Sequence, residues 1–458
     1  MFTTSGGFAF RHSLPIAASA ILVGCIAQPP SRSVHAPSPT PQAVAADSTP
    51  APPPARDWSG VVPVVRLLEA ARLAHPTADA VAAARASAMA QVRQAEAWAN
   101  PTVALSLSQT RPRVGGVERD RPYGGSLSQR LEWWGKRAAR VDAARAQSNA
   151  AEAEGRVALL ELEANVRLAV VAYAAAREAA AQADSEAKLT AEIAAMMVSR
   201  QAVGDADRAS VARARLEATT TALRSASRHR DIATALTVLR TWCDPTLPDD
   251  LALADPWLTD LLELDPQHLR AAAERHPRLR ALADATLAAE ARVTAEHQAR
   301  LPDVTIGVSG MREIDQDTYG FTLGFDMPLW NQNEGAIAGA EANRSLARAT
   351  MRIEYQRLQR DLAEALGAVT TAQHEATVLA EQAVPAAEEA LALRTAAFKA
   401  GDASLTDLFE ARRAALAVQT DLLEARRRTT EAFIRLGQAV GDPLWSSSVH
   451  PPAAGNLP

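Results

Sequence analysis

Few side chains in this sequence are placed for covalent chemistry. There are two cysteines, Cys25 and Cys243, and nine histidines scattered singly. No Cys-x-x-Cys, His-Glu-x-x-His or clustered His/Cys spacing is present, so the pattern names no metal ligand. No nucleophile–base constellation, phosphate loop or cofactor fingerprint can be read either, so the sequence points away from an enzyme and calls for no cofactor. What remains is one thiol in a special place and a set of noncovalent groups. Cys25 closes the apolar run Leu14–Gly24 and is a candidate for lipid attachment. The noncovalent groups are carboxylates in alternating segments, above all Asp326 with Glu313 and Asp317, the tryptophans Trp133, Trp134 and Trp330, and two Gly-Asp pairs, Gly204-Asp205 and Gly401-Asp402.

The N-terminus reads as a targeting segment. Arg11 and His12 supply a weak basic region, and the apolar run that follows is too short to span a bilayer as a helix. Leu22-Val23-Gly24-Cys25 resembles a bacterial lipobox, which implies cleavage before Cys25 and a diacylglycerol on its thiol. Ile26 after the cysteine, where an Asp would direct otherwise, implies sorting to the outer membrane. Acyl chains contribute about 0.8 kcal/mol per buried CH₂, so several give a durable anchor. An ordinary signal peptide with an incidental cysteine is the competing reading. Residues 1–24 are therefore expected as signal peptide and 25–57, rich in Pro, Ala and Ser, as an extended tether. Cys243 is then a lone thiol with no intrachain partner, expected as a small buried apolar residue.

Behind these residues stands an internal duplication. His75-Pro76 and His276-Pro277 lie 201 residues apart, as do Pro101 and Pro302. Tyr123 and Tyr319, and Trp134 and Trp330, are offset by 196, and Gly204 and Gly401 by 197. A period near 200 is too long for a solenoid and means two copies of one unit. The expected extents are 58–245 for the first copy, 246–265 for a linker, 266–441 for the second copy and 442–458 for a tail.

Each copy reads as helix, two strands, long helix, tight tip, helix. Proline ends the first helix and forces extended geometry on its predecessor. Alternation follows: Val103, Leu105 and Leu107 on one face, Thr102, Ser106 and Ser108 on the other. In the second copy Val304, Ile306 and Val308 alternate with Thr305, Gly307 and Ser309, and Phe321, Leu323 and Phe325 with Thr322, Gly324 and Asp326. Strands are expected at about 102–110, 123–131, 303–312 and 319–327. Period two with one apolar face fits a membrane barrel strand and equally a half-buried soluble sheet. The prolineless stretch from Lys136 to about Arg200 predicts a helix of roughly 95–100 Å. Its counterpart runs from about Glu334 to Ala400, with Pro385 breaking one hydrogen bond, to Glu381, and bending it. Hydrophobic content is 48% but aromatics only 4%, so alanine carries the packing and helices approach closely.

At the tips, Gly204 and Gly401 are expected in left-handed geometry, with Asp205 and Asp402 as N-caps of the next helices and Ser404 with Asp407 as a capping-box variant. If the strands lie in lipid, the tryptophans mark the interface, although plain packing at a sheet end would suit them too. Four strands close no barrel and open edges are not tolerated in hydrocarbon, so a membrane sheet of this size demands an oligomer. Asp326 then lines a pore, as Glu313 or Asp317 could, or is simply solvated. The net charge of −5 carries no nucleic-acid footprint.

The duplicated unit, with the junctions "EWWGKRAARVDAA" (132–144) and "MPLWNQNEGAIAGAEA" (327–342), resembles the TolC family of outer-membrane factors over about residues 60–440. The resemblance implies a mainly α fold with a small membrane β-part. Three protomers would each give four strands to a shared barrel, and duplicated helical hairpins would form a periplasmic tunnel. It implies a homotrimer that meets a periplasmic adaptor, here at Gly204, Asp205, Gly401 and Asp402, and an inner-membrane pump of the resistance-nodulation-division type. The two junctions are similar to those of the CzcC-like heavy-metal branch, although Trp330 and Trp134 depart from that branch's usual residues. Metal-cation efflux is thus expected. A duct for drugs or other organic compounds and a peripheral coiled-coil scaffold are the alternatives.

Overall fold

The computed structural model describes residues 58–109, 121–132, 135–254, 257 and 265–441. The leader, Cys25, the tether, Trp133, Trp134 and the tail 442–458 lie outside these described residues.

The first copy opens with β1 (Val61–Pro63), α1 (Val64–Ala74) and α2 (Pro76–Glu96). Then come β2 (Thr102–Leu107), β3 (Tyr123–Leu131), α3 (Lys136–Ala202) and α4 (Arg208–Trp242). A short β4 (Ala252–Ala254) separates the copies. The second copy repeats the order as α5 (Pro266–Ala273), α6 (Pro277–Ala299), β5 (Val304–Arg312), β6 (Asp317–Phe325) and α7 (Glu334–Val378). A π-helical turn (Leu379–Ala383), α8 (Val384–Ala400) and α9 (Leu405–Val440) complete it. The 67 residues of α3 span about 100 Å at 1.5 Å each. Among the described residues no helix is long and apolar enough to cross a membrane.

Both copies start their second helix the same way. His75 and His276 are N-caps followed by proline, whose missing N–H costs nothing at the first helical position. His75 Nδ1 accepts from the Thr77 N–H at 3.2 Å, and His276 Nδ1 from the Arg278 N–H at 2.9 Å. Bonded this way, His276 also sets its other nitrogen, Nε2, to donate to the Gln438 carbonyl at 2.8 Å. Burial lowers the pKa of His276 and keeps the ring neutral, as this bonding requires. The contact ties the start of α6 to the end of α9. In the first copy His75 instead stacks on Trp242, with ring centroids 5.3 Å apart.

Among the described residues four hydrophobic clusters hold the helices, and three of them are large. The first joins α1, α3 and α4 through Leu67, Val166, Tyr173 and Leu239, with Cys243, Leu247 and Leu251 sealed against them. The expected linker is thus partly core, and β4 pairs in parallel with β1, a small sheet the sequence did not announce. The second core lies at the tips and mixes the two copies: Met197 and Val211 meet Phe398, Leu405 and Phe409. The third joins α5, α7 and α9 through Leu269, Leu362, Val369 and Leu436.

The two hairpins form one antiparallel sheet in the order β2-β3-β5-β6. Its central seam pairs β3 with β5, from Tyr123 opposite Arg312 to Leu131 opposite Val304. Strand β2 ends at Leu107, short of the expected 110. Strand β6 runs from Asp317 to Phe325, two residues earlier than expected, because a double ion pair between Arg312 and Asp317 extends the hairpin to its turn.

Candidate functional site

Cross-strand register sorts the sheet into two chemically distinct faces. One carries Val103, Leu105, Leu107, Leu127, Ile306, Val308, Phe321, Leu323 and Phe325; the other carries Thr102, Ser106, Ser126, Ser128, Thr305, Ser309 and Thr322 among glycines. The apolar face is bare: Leu105 is 84% exposed and Phe321 72%. A contiguous apolar surface of this kind marks an interaction with lipid or protein. Nine-residue strands reach about 30 Å and, tilted about 35–45°, rise about 21–25 Å, close to the height of an apolar band about 25 Å tall. Strands β2 and β6 each have one unpaired edge among the described residues. Trp330 stands at the helical end of the sheet and is 94% exposed.

Where the sheet meets the helices, the chain turns through left-handed residues, Gly135 before α3 and Asn333 before α7. Each junction is tied back to the helix that precedes its hairpin. Arg137 Nε donates to the Glu96 carbonyl at 2.9 Å, and Asn333 Nδ2 to the Glu296 carbonyl at 2.9 Å. Each long helix thus starts a short connection after its hairpin and is anchored there to the helix that precedes it.

A cluster at this level joins the two copies. Asp303 is only 3% exposed. Its Oδ1 accepts from Lys136 Nζ at 2.7 Å, and its Oδ2 from Arg130 Nε at 2.8 Å. Burial works against charge on Asp303, but the bonds from Lys136 and Arg130 outweigh it and hold the carboxyl below the usual carboxylate range. Lys136 sits in the first turn of α3, where the helix dipole disfavours a cation, so it depends on this partner. Nothing in the sequence singled out Asp303: its counterpart 201 residues earlier is Thr102, and its cations come from segments far off in the chain.

The acidic candidates separate. Asp326 keeps the polar-face parity but lies just past β6, exposed, its N–H donating to the Asp303 carbonyl at 3.3 Å. Asp317 does not line the polar face, because it shares the parity of Tyr319 and Phe321 and is held by Arg312. Glu313 sits in the turn and accepts from Gln316 Nε2 at 2.9 Å. No group of three or more metal-binding side chains occurs among the described residues.

The two tips are built alike. Gly204 (φ +85°) and Gly401 (φ +88°) take left-handed geometry that a β-carbon would strain. The Asp205 N–H donates to the Arg200 carbonyl and the Asp402 N–H to the Ala397 carbonyl, both at 2.9 Å, which closes each helix in a Schellman motif. Asp205 and Asp402 are therefore not the N-caps. With their N–H groups turned back, the next helix begins two residues later. Asp207 caps α4 through the Ser210 N–H at 3.0 Å, and Ser404 caps α9 in a full capping box with Asp407. Asp205 and Asp402 are left exposed at the turn. Bonds between copies brace this end: Arg412 reaches Glu186 at 3.2 Å, and Arg213 reaches Thr406.

Comparison with known proteins matches this chain over residues 67–242 and 268–442 to the family described as outer membrane efflux protein. Several solved structures share its fold. The outer membrane protein VceC from Vibrio cholerae is 20% identical with a TM-score of 0.70, covering 83% of this chain and 96% of its own. CusC is 18% identical with a TM-score of 0.70, covering 86% and 98%. The CmeC outer membrane channel of Campylobacter jejuni is 16% identical with a TM-score of 0.71, covering 82% and 85%. No curated protein sequence matches the chain.

Proposed function

We propose, since this chain belongs to the outer membrane efflux protein family, that three copies of it close into one duct through the outer membrane. It is an outer-membrane efflux channel with long periplasmic helices, and not an enzyme. One observation carries the oligomer, the sheet's exposed apolar face together with its two open edges, and the number three follows from the family resemblance. In hydrocarbon both edges must find partners, and four strands cannot satisfy one another in a ring. Neighbouring copies supply the missing strands, the small polar face turns inward to a water-filled lumen, and α3, α4 and α7–α9 continue the wall beyond the membrane. Trp330, with Trp133 and Trp134, stands at the exit from lipid, and Cys25 carries the acyl anchor. Mass measurement of the detergent-solubilised full chain tests the stoichiometry; a monomer that keeps its fold would sink it.

The duct has no chemistry of its own. Its partners are a periplasmic adaptor and an inner-membrane pump of the resistance-nodulation-division type. The adaptor meets the exposed tips at Gly204-Asp205 and Gly401-Asp402. Gly401→Val should lower adaptor capture in a pull-down while the barrel end stays intact, and normal capture would count against the tips. Cargo is chosen upstream. The junction motifs favour metal cations, and Asp326 at the base of the polar face suits their passage. Growth of a deletion strain across zinc, cobalt, cadmium, nickel, copper and a drug panel decides the cargo. Metal sensitivity rescued by the wild-type copy supports the cation reading, and drug sensitivity alone discards it.

A further inference from the structure

The duplication builds one seam inside the chain and leaves the halves of a second seam bare. Inside the chain, α3 runs antiparallel along α6. Lys136 Nζ meets Asp303 at 2.7 Å at the sheet end, and Arg278 meets Glu161 at 3.1 Å at the other. These two ties lie 25 residues apart on both segments, so the helices keep step between them and bring Ala150 level with Ala288 to within one residue. Ala150 is 1% exposed. On the facing side, α2 packs on α3 through Ala88 and Ala95 and leaves Ala80 and Ser87 bare. Their counterparts on α6, Ala281 and Ala288, are buried, because α6 has α3 as a second neighbour besides α7.

The stripe Ala143, Ala150, Val157 on α3 has Gly339, Leu346 and Ile353 as its counterparts on α7, each 196 residues on. There it stands open: Leu346 is 64% exposed and Ile353 65%. The bare stripe Ala80, Ser87, Gln94 on α2 has the same spacing of seven. The sheet ends likewise, with β2 open on one side and β6 on the other.

We propose that a second copy continues the internal seam, laying its α2 on α7 and its β2 on β6 in the register that α6 and β5 take on α3 and β3. This seam rests on the closed duct proposed above and fixes which residues meet in it. Leu346 and Ile353 then pack on Ser87 and Ala80 of the second copy. In the sheet, Gln129 opposite Ile306 becomes Phe325 opposite Leu105, and Leu127 opposite Val308 becomes Leu323 opposite Leu107. The alternation supports this register independently: every apolar residue meets an apolar one, whereas a slip of one residue would set lipid-facing side chains against lumen-facing ones. One thing is not repeated. The counterparts of Arg130 and Asp303 are Asp326 and Thr102, so the seam between copies lacks the ion pair that locks the junction inside the chain.

The test uses the full-length protein in membranes under mild oxidation. Leu346→Cys with Ser87→Cys should link chain to chain. Moving the second cysteine to Ala80→Cys or Gln94→Cys should slow linkage at least about tenfold, since seven residues shift it about 10 Å along the helix, beyond disulfide reach. An oligomer by mass whose 346 thiol links only at 80 or 94, or not at all, overturns the register and leaves the duct standing. A monomer by mass overturns the duct and the seam together. Thr102→Lys supplies the missing cation beside Asp326, so the temperature at which the oligomer separates should rise by about 2–4 °C, a gain that Asp326→Asn removes. No rise, or a rise that survives Asp326→Asn, refutes the unlocked junction.

Discussion

Replacing Asp303 by Asn leaves the shape of the junction almost unchanged and removes one charge. The consequence falls unequally on its two cations. Arg130 is 58% exposed and recovers water, so its share is that of a surface pair, about 0–1 kcal/mol. Lys136 is only 13% exposed and sits at a helix N-terminus. Breaking a buried pair by removing one partner costs about 3–5 kcal/mol, so a loss near 3 kcal/mol is expected, nearly all of it through Lys136. Adding Lys136→Met should then recover about 2 kcal/mol, because an apolar group of similar length needs no partner. Thermal unfolding of the full-length protein in detergent gives the ranking: wild type, double variant, then Asp303→Asn alone. The ordering also depends on pH. A carboxyl held below its unfolded value stabilises above about pH 4, and that contribution disappears as pH falls through the folded pKa. The gap between wild type and Asp303→Asn should therefore close in acid. A single variant as stable as wild type at pH 7, or a double variant weaker than Asp303→Asn alone, would refute the idea that this ion pair joins barrel to helices.

Two further substitutions probe the ends of the helices. Gly441→Ala puts a methyl group 2.5 Å from Pro277 Cδ at φ +76°, so it should destabilise by about 1–3 kcal/mol in thermal unfolding, against almost nothing for Gly339→Ala, which meets open space. Cys243 is buried, its thiol pushed up to about 12 chiefly by burial and secondarily by Asp244; maleimide should leave it unmodified in the folded protein at pH 7 and modify it once the chain is unfolded.

The sequence showed the helices and the tips because each rests on local rules. Proline at 101 and 302 keeps a helix from running on into the strand, and glycine at 204 and 401 turns a chain without help from elsewhere. The alternation that set the strands is equally local: it put Leu105 and Phe321 each on the apolar side of its own strand, and pairing then brought both onto one face. What stayed hidden depends on meetings across long stretches of chain. Asp303 finds Lys136 and Arg130 only after two hairpins pair, 167 and 173 residues apart. The parallel contact of β1 with β4 has no alternation long enough to announce it. Asp205 and Asp402 were expected as N-caps two residues too early, although Ser404 with Asp407 does form the expected capping box, because a Gly-Asp pair reads the same whether its aspartate caps the next helix or closes the last. The strand expected from 319 leaves Asp317 outside it, because the hairpin turn is shorter than its polar residues suggest.

The π-helical turn at Leu379–Ala383 settles an arithmetic difference between the copies. Before it, α7 runs 196 residues ahead of α3, as Leu358 and Leu162 show; after it the tips are 197 apart. One surplus residue is absorbed in a single wide turn, where the Val384 N–H reaches back five residues to Leu379. Pro385 stands next to it, and a straight helix would drive its ring against the Glu381 carbonyl. The surplus residue and the proline accommodate one another. In genetic terms, a codon deleted from 379–383 leaves the proline without room, a codon change at 385 leaves the extra residue without cause, and the two alterations made together restore a plain helix with the tips still level.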